Sequence, residues 1–265
     1  MDRLFPKKDR LSFIVIAVLL LVILPLGLDV FRLNLVSKYL TFAFVAIGLV
    51  MCWGAGGILS LGQGVFFGLS GYCMAMYLKL EAAKADIGCT RAQQEVGECI
   101  VQSTPGIPDF MDWNQVTELP TFWIPFKSLP ATLALVVVLP IVFSYLLSVF
   151  YFRGRVGPVV FAILTQSMVA CLWYVIVGNQ GYFGGINGMT DLKTLAGWDI
   201  RTEEAQRTLY FVCVGLLLVS ILVCRWILAT RLGRVLVAQR DKEERVRFSG
   251  YNISSFRIFI FCVAA

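Results

Sequence analysis

The sequence predicts an all-α, polytopic transmembrane protein with about seven membrane-spanning helices. Hydrophobic residues make up 58% of the 265 residues and charged residues only 15%, whereas soluble domains carry about 25% charged residues. The apolar residues are also grouped in blocks close to the ~20 residues that a helix needs to cross a bilayer. Lipid is therefore the expected solvent of most of this chain.

The first predicted span is the apolar run 11–28, which follows four basic residues. No small-x-small cleavage site follows this run, so we interpret it as a membrane helix and not as a cleaved signal peptide. Further spans are predicted at 38–53, 59–79, 129–152, 159–177 and 209–225. A last apolar run, 256–265, is too short to span, which predicts that the single membrane domain 1–265 is C-terminally incomplete.

Charge sets the predicted orientation, because cytoplasmic loops of membrane proteins are enriched in Lys and Arg. The segment 225–257 has eight basic against three acidic residues, whereas 82–119 has two basic against six acidic residues. We therefore predict a multi-pass protein of the bacterial inner membrane with a cytoplasmic N-terminus. Its expected parts include an extracytoplasmic insertion at 81–128 and a cytoplasmic loop at 226–255.

Composition also excludes several classes of function. The chain has no histidine, which removes the commonest general base and the commonest metal ligand, so no catalytic residue and no metal site are predicted. The net charge of +6 comes from basic residues at helix ends and in one loop, a pattern that does not indicate nucleic-acid binding.

Cys89 and Cys99 lie in the predicted extracytoplasmic insertion, where a disulfide can persist. Two free thiols fit the sequence equally well.

Small residues follow the second predicted span at intervals of four: Gly56, Ser60, Gly64 and Gly68. Small residues at this spacing let two membrane helices approach closely. Helix packing is the simpler interpretation, and contact with a solute is compatible with it.

Uncharged polar residues mark a candidate path for a solute. An ionisable residue in the middle of a span would indicate a charged cargo or a proton relay. The central parts of the predicted spans contain no such residue. These spans and the glycine-rich loop 178–192 instead offer uncharged donors and acceptors. The candidates are Gln63, Thr165, Gln166, Ser167, Asn179 and Asn187. The set fits a neutral polar solute, and a hydrogen bond between helices explains each residue as well.

The most charged segment of the chain, 230–252, follows the sixth predicted span. Apolar residues at helical spacing predict a short amphipathic helix at the membrane surface. The residues of its less polar face are Leu232, Val235, Leu236 and Gln239. Basic residues such as Arg234 and Arg240 would then face headgroups or another protein. An ordinary basic loop at the membrane surface is the alternative.

Three segments resemble permeases of the branched-chain amino acid family of ABC importers. The cytoplasmic coupling loop of that family is similar to RLGRVLVAQRDKEERVRFSGYN. The segment after its second helix is similar to GILSLGQGVFFGLSGY, and its loop outside the fifth span is similar to GNQGYFGGINGMTDL. The urea-transport branch of the family is the one most similar to TELPTFWIPF and NQGYFGGINGMTDL.

The resemblance implies a transport subunit and not an enzyme. Its implied partners are a second permease subunit in a heterodimer, two cytoplasmic ATPase subunits and a periplasmic solute-binding protein. No cofactor would bind this chain, since ATP would bind the ATPase subunits. The chain itself lacks the G-x-x-x-x-G-K-[ST] motif.

The wider importer class has a Glu followed six residues later by a Gly in its coupling loop. Glu244 and Gly250 have this spacing, with Arg245 and Val246 in place of two alanines. The implied ATPase-coupling residues are Arg234, Arg240, Glu243, Glu244 and Gly250.

The resemblance to the urea branch implies urea or a similar small neutral amide as the substrate. A branched-chain amino acid permease of the same family is the alternative. A passive amide channel would leave the charged coupling segment unexplained. An intramembrane enzyme would need groups for chemistry that this sequence does not offer.

Overall fold

The computed structural model describes residues 7–90, 93–94, 96, 99–100, 104–154 and 156–265. In this part of the chain, 5 helices are long and apolar enough to cross a membrane. They are Arg10–Gly27, Val30–Ala55, Leu129–Arg153, Val159–Gly178 and Glu203–Ala229. Large apolar side chains stay exposed along them, as expected where lipid or another subunit covers the surface. The predicted all-α, polytopic membrane fold is confirmed.

Two predicted spans are not among these helices. The helix Gln63–Ala85 has 23 residues, but Lys79, Glu81 and Lys84 make its last turns less apolar. The helix Ile253–Ala264 has 12 residues, or about 18 Å at 1.5 Å per residue, which is shorter than the hydrocarbon core of a bilayer.

The α-helices are α1 Lys7–Val18, α2 Leu24–Gly27, α3 Val30–Leu49, α4 Gln63–Ala85, α5 Asp109–Trp113, α6 Leu129–Arg153, α7 Pro158–Gly178, α8 Gln180–Phe183, α9 Glu203–Ala229, α10 Arg231–Asp241, α11 Glu243–Phe248 and α12 Ile253–Ala264. Two π-helical turns, Leu19–Ile23 and Val50–Ala55, join α1 to α2 and extend α3. Two 3₁₀ turns cover Thr121–Lys127 and Gly185–Asn187. The strands β1 Thr194–Leu195 and β2 Trp198–Asp199 pair antiparallel.

Contacts divide the chain into two compact units, of which the first comprises 1–63, 143–165 and 202–265. Its helix α9 packs along α3 around the buried Leu33, Tyr210 and Val214. The Tyr210 hydroxyl donates to the Leu20 carbonyl inside the first π-helical turn. The buried phenol therefore has the hydrogen-bond partner that burial requires.

The second unit comprises 64–142 and 166–201. Residues on α4 form an apolar core together with residues of the segment predicted as an extracytoplasmic insertion. The buried members of this core are Cys73, Met76, Leu80, Ile107, Phe110, Met111, Trp123 and Phe126. Because α4 continues to Ala85, the helix extends past residue 81, where the insertion was expected to begin.

Two buried ion pairs connect parts of the second unit that are far apart in sequence. Lys79 Nζ lies 2.9 Å from Asp109 Oδ1, with side chains only 3% and 7% exposed, and donates to the Thr190 carbonyl at 2.8 Å. Lys193 Nζ lies 2.8 Å from Asp86 Oδ1, with both side chains 6% exposed. Burial of these charges requires such pairing. The sequence analysis did not identify either pair.

The turn between β1 and β2 needs a left-handed backbone at two successive residues, as two-residue hairpin loops commonly do. Ala196 has φ 53° and Gly197 φ 80°, and the Glu81 carboxylate accepts both of their N–H groups. Glu81 thus holds an alanine in a conformation that favours glycine. In β2, directly after this turn, hydrogen bonds from the Arg201 side chain and backbone N–H lower the pKa of the Asp199 carboxyl.

Candidate functional site

The segment predicted as the coupling loop, 226–255, contains two short helices and not an irregular loop. Thr230 ends α9 and begins α10 with extended backbone. Lys242 leaves helical geometry at φ −147° and ψ 78°, which separates α10 from α11. Asn252 then caps α12, because its side chain accepts the Ser255 N–H.

Helix α10 has the amphipathic character that the sequence predicts. Leu236 is fully buried and Gln239 is 2% exposed, whereas Arg231 and Arg234 are exposed. A groove of about 450 Å³ runs beside α10 and α11. It is lined by Arg231, Arg234, Val235, Ala238, Arg245, Val246, Ser249 and Tyr251. The lining contains three arginines and no acidic residue, so the groove has a positive potential.

The Glu244 to Gly250 spacing corresponds to one short helix and its stop. Glu244 lies in the first turn of α11, where a carboxylate interacts favourably with the helix dipole. Gly250 has φ +84° and no heavy atom within 4 Å of where a Cβ would lie. Its N–H donates to the Arg247 carbonyl at 3.1 Å. Conformation, and not crowding, therefore requires glycine at this position.

Arg240 contacts its own chain in a way that the sequence analysis missed. Its guanidinium donates to the Gly54 carbonyl, 186 residues away in sequence, and pairs with Asp241 at 3.0 Å. Its Cγ lies 2.9 Å from where a Cβ of Gly57 would be, and Gly57 has φ +66°. Helix α10 therefore packs directly on residues 54–57, the glycine turn in which the second π-helical turn ends.

Thr165 and Gln63 are buried in the first unit. The Thr165 hydroxyl donates to the Ala162 carbonyl at 2.9 Å and accepts the Leu61 N–H at 3.2 Å. Gln63 is 6% exposed and donates to Cys52 Sγ at 3.6 Å. Both side chains hold the non-helical segment 56–62 in place. Each therefore has a hydrogen-bond partner within the chain, as expected for a role in packing.

The other candidate pathway residues lie in the second unit, and the structure leaves them exposed. They are Gln166, Ser167, Asn179 and Asn187. The Asn179 amide donates to the Val175 carbonyl at 2.8 Å at the end of α7. Gln166 and Ser167 lie inside the apolar span Val159–Gly178. An exposed amide within a membrane span, such as that of Gln166, needs a polar neighbour, which lipid tails do not provide.

Comparison with protein families decides the identity of the chain. The profile of one family, described as branched-chain amino acid transport system / permease component, matches residues 31–265. The chain belongs to this family. Comparison with the curated proteins and with the solved structures gave no significant match. The chain is therefore a multi-pass membrane transport subunit of the ABC-importer type. Permeases of this family in general have an ATPase and a solute-binding protein as partners.

The small residues of this permease do not lie on one helix face. Residues 56–62 are not helical, so Gly56 and Ser60 precede the helix that contains Gly64 and Gly68. A Cβ at Gly56 would lie 3.0 Å from Ile260 Cγ2 and 2.8 Å from the Cys52 carbonyl oxygen, whereas Gly64 has open space. Close packing therefore applies to Gly56 and not to the whole set. The Ser60 hydroxyl is buried and has no hydrogen-bond partner in the described part of the chain.

Two features of the permease lie in its second unit. The structure joins Cys89 and Cys99 in a disulfide. An apolar cavity of about 250 Å³ lies beside α4 and α7, and its lining includes Tyr72, Phe122 and Phe183. Such a lining offers almost no hydrogen-bond partner, so it accommodates an aliphatic group better than an amide.

Replacement of Thr165 by valine is expected to destabilise the permease by about 1–3 kcal/mol, because the Leu61 N–H loses its acceptor. Thr165→Ser keeps the hydroxyl and is the matched control. Thermal unfolding of the purified variants measures the difference. If Thr165→Val unfolds like the wild type but transports less solute, Thr165 acts in the pathway and not in packing.

Proposed function

We propose that the chain is a permease subunit of an ABC importer that moves urea or a similar small neutral amide across the bacterial inner membrane. Its resemblance to the urea-transport branch supports this substrate. The observation that carries the proposal is the exposure of the Gln166 side chain within an apolar span. Uncharged donors and acceptors suit a planar amide, which carries no net charge.

The charge distribution of the spanning helices agrees with a neutral cargo. The middle turns of the five spanning helices carry no Asp, Glu, Lys or Arg. Lys38 lies about 12 Å from the start of the helix that begins at Val30. That helix has 26 residues, or about 39 Å, so about 9 Å of it can extend beyond a ~30 Å hydrocarbon core. Lys38 then lies within about 3 Å of the boundary, where its long side chain can reach the headgroups.

The proposed complex contains this chain, a second permease subunit as its heterodimer partner, two cytoplasmic ATPase subunits and a periplasmic solute-binding protein. The second permease subunit would cover the exposed side chain of Gln166. No cofactor binds this chain in the proposal, and ATP binds the ATPase subunits. The excess of basic residues at the N-terminus and in 225–257 supports a cytoplasmic side for both. This topology requires α4, with its 23 residues, to cross the membrane in addition to the five more apolar helices.

Coupling to ATP hydrolysis is proposed to use two features. One is the groove beside α10 and α11, called here the arginine groove, and the other is the glycine turn 54–57. The exposed Arg234, Glu243 and Glu244 are available to the ATPase, and Arg240 connects α10 to the glycine turn 54–57. A displacement of α10 by the ATPase would then move the segment between the second span and α4. Gly250 ends α11, so its φ of +84° fixes the direction of the chain into α12.

Uptake of labelled urea by cells that carry the complete transporter tests the proposal. We expect accumulation that stops when the ATP-binding lysine of the ATPase is replaced. Gln166→Leu should reduce uptake about tenfold, the value of one lost hydrogen bond to the solute, whereas Cys171→Leu on the same helix should not. Urea uptake that continues without ATP hydrolysis would identify a passive channel.

A branched-chain amino acid permease is the second candidate, and the apolar cavity beside α4 and α7 favours it. An aliphatic side chain would fill a cavity lined by aromatic rings, whereas urea would leave its hydrogen bonds unmade. Leucine uptake that excess urea does not inhibit, with no uptake of urea, would assign the chain to that substrate class.

A further inference from the structure

A polar cavity of about 640 Å³ lies where α6 ends and α12 begins. All residues of its lining belong to the first unit. The charged residues of the lining are Arg153, Glu243, Arg247 and Arg257. Although α11 contributes to this cavity and to the arginine groove, the two share only Tyr251.

The cavity is electropositive. Arg257 Nη2 pairs with Glu243 Oε2 at 2.7 Å, which neutralises one arginine. Arg153 and Arg247 form no ion pair within the described part of the chain, and both are exposed. The three arginines and one glutamate give the lining a formal charge of +2, and the unpaired charge belongs to two side chains that can move toward a ligand.

The same cavity also contains neutral donors. Asn252, Ser254 and Ser255 belong to its lining at the N-terminal turn of α12. Ser254 donates to the Phe152 carbonyl at 3.2 Å, which attaches this turn to the end of α6. A helix N-terminus favours an anion, and here it adds to the two arginines.

The remaining lining is apolar and comes from the two helices that meet at the cavity. Phe152 lies in the last turn of α6, and Ile253 and Ile258 lie in α12. Basic residues at the end of a span mark the boundary between membrane and water. The cavity therefore combines an anion-binding part with apolar side chains at the depth where phospholipid headgroups lie.

We propose that this cavity binds the headgroup of an anionic phospholipid, with the phosphate on Arg153 and Arg247. Basic pockets between membrane helices bind such headgroups, and guanidinium groups bind phosphate oxygens by paired hydrogen bonds. The apolar part of the lining distinguishes a lipid from a soluble phosphate or an acidic side chain of the ATPase, because neither has acyl chains to bury. The proposal does not depend on the transported solute.

Native mass spectrometry of the purified chain, titrated with phosphatidylglycerol, tests the proposal. We expect phosphatidylglycerol to bind about tenfold or more tightly than phosphatidylcholine, and the Arg153→Gln/Arg247→Gln variant to lose most of this preference. Arg234→Gln removes the same kind of charge from the neighbouring groove and should bind like the wild type. The Arg153→Lys/Arg247→Lys variant keeps the charge and should retain most of the binding.

The outcomes separate the alternatives. Unchanged phosphatidylglycerol binding in the double glutamine variant overturns the proposal. Both side chains are exposed, so we expect the variant to keep the wild-type fold, which its circular dichroism spectrum checks. Displacement of the lipid by an equal concentration of glycerol 1-phosphate would assign the site to a soluble phosphate. If the variant binds lipid normally but no longer co-purifies with the ATPase, the cavity belongs to the ATPase interface.

Discussion

Replacement of Gly233 by alanine is expected to disrupt the corner between α9 and α10. A Cβ at Gly233 would lie 2.2 Å from the Leu228 carbonyl oxygen and 2.5 Å from the Leu228 Cα. These are backbone atoms, so α10 would have to shift away from α9. We expect a loss of about 3 kcal/mol or more in the free energy of unfolding. Uptake by the complete transporter should fall with it, because the coupling segment is displaced.

The sign of the Gly233→Ala effect makes this a sharp test. Alanine is favoured over glycine inside helices by about 1 kcal/mol, so a position with free space would be stabilised by the change. Gly215→Ala in α9 is the matched control, because no heavy atom lies within 4 Å of its Cβ position. Thermal unfolding of the purified variants in detergent compares the two. Stabilisation by Gly233→Ala would contradict the packing of this corner.

Removal of the Asp109 carboxylate is expected to have the second large effect. Asp109→Ala leaves the buried Lys79 ammonium without its ion partner, and such a loss costs about 3–5 kcal/mol. Among the residues that the structure describes, Lys79 then keeps only its bond to the Thr190 carbonyl. Glu118→Ala removes an exposed carboxylate from the same part of the chain and should change stability by less than about 0.5 kcal/mol.

The double variant Lys79→Met/Asp109→Leu completes the experiment on this ion pair. Apolar replacement of both partners of a buried ion pair is often neutral or stabilising, so the double variant should unfold close to the wild-type temperature. The single variants Lys79→Met and Asp109→Leu complete the cycle. If the loss of the double variant equals the sum of their losses, the two charges do not interact in the folded protein.

The sequence predicts the fold of this chain well because the bilayer imposes a simple length and polarity requirement. The five apolar helices lie where the apolar blocks predict them. Their limits differ where a helix extends beyond the hydrocarbon, as at Val30 and Glu203. Apolarity decreases before a helix ends, so it underestimates helix length.

Only part of the candidate site could be predicted in the same way. The Glu244 to Gly250 spacing is local, because one short helix and its left-handed stop determine it. The contact between Arg240 and Gly54 joins residues 186 positions apart, and no local pattern indicates it. The partners of Lys79 and Lys193 are likewise distant in sequence. A count of charges along the sequence would place these residues on the solvent-exposed surface.

Because those ion pairs are buried, the surface of the second unit presents fewer charges to an approaching protein than the sequence suggests. The segment 82–119 has six acidic against two basic residues in sequence, yet Asp86 and Asp109 are buried against lysines. Charges that are neutralised inside the fold contribute little to the field that guides diffusional encounter. Association with a partner on this surface should therefore depend on ionic strength less steeply than six exposed acidic residues would make it.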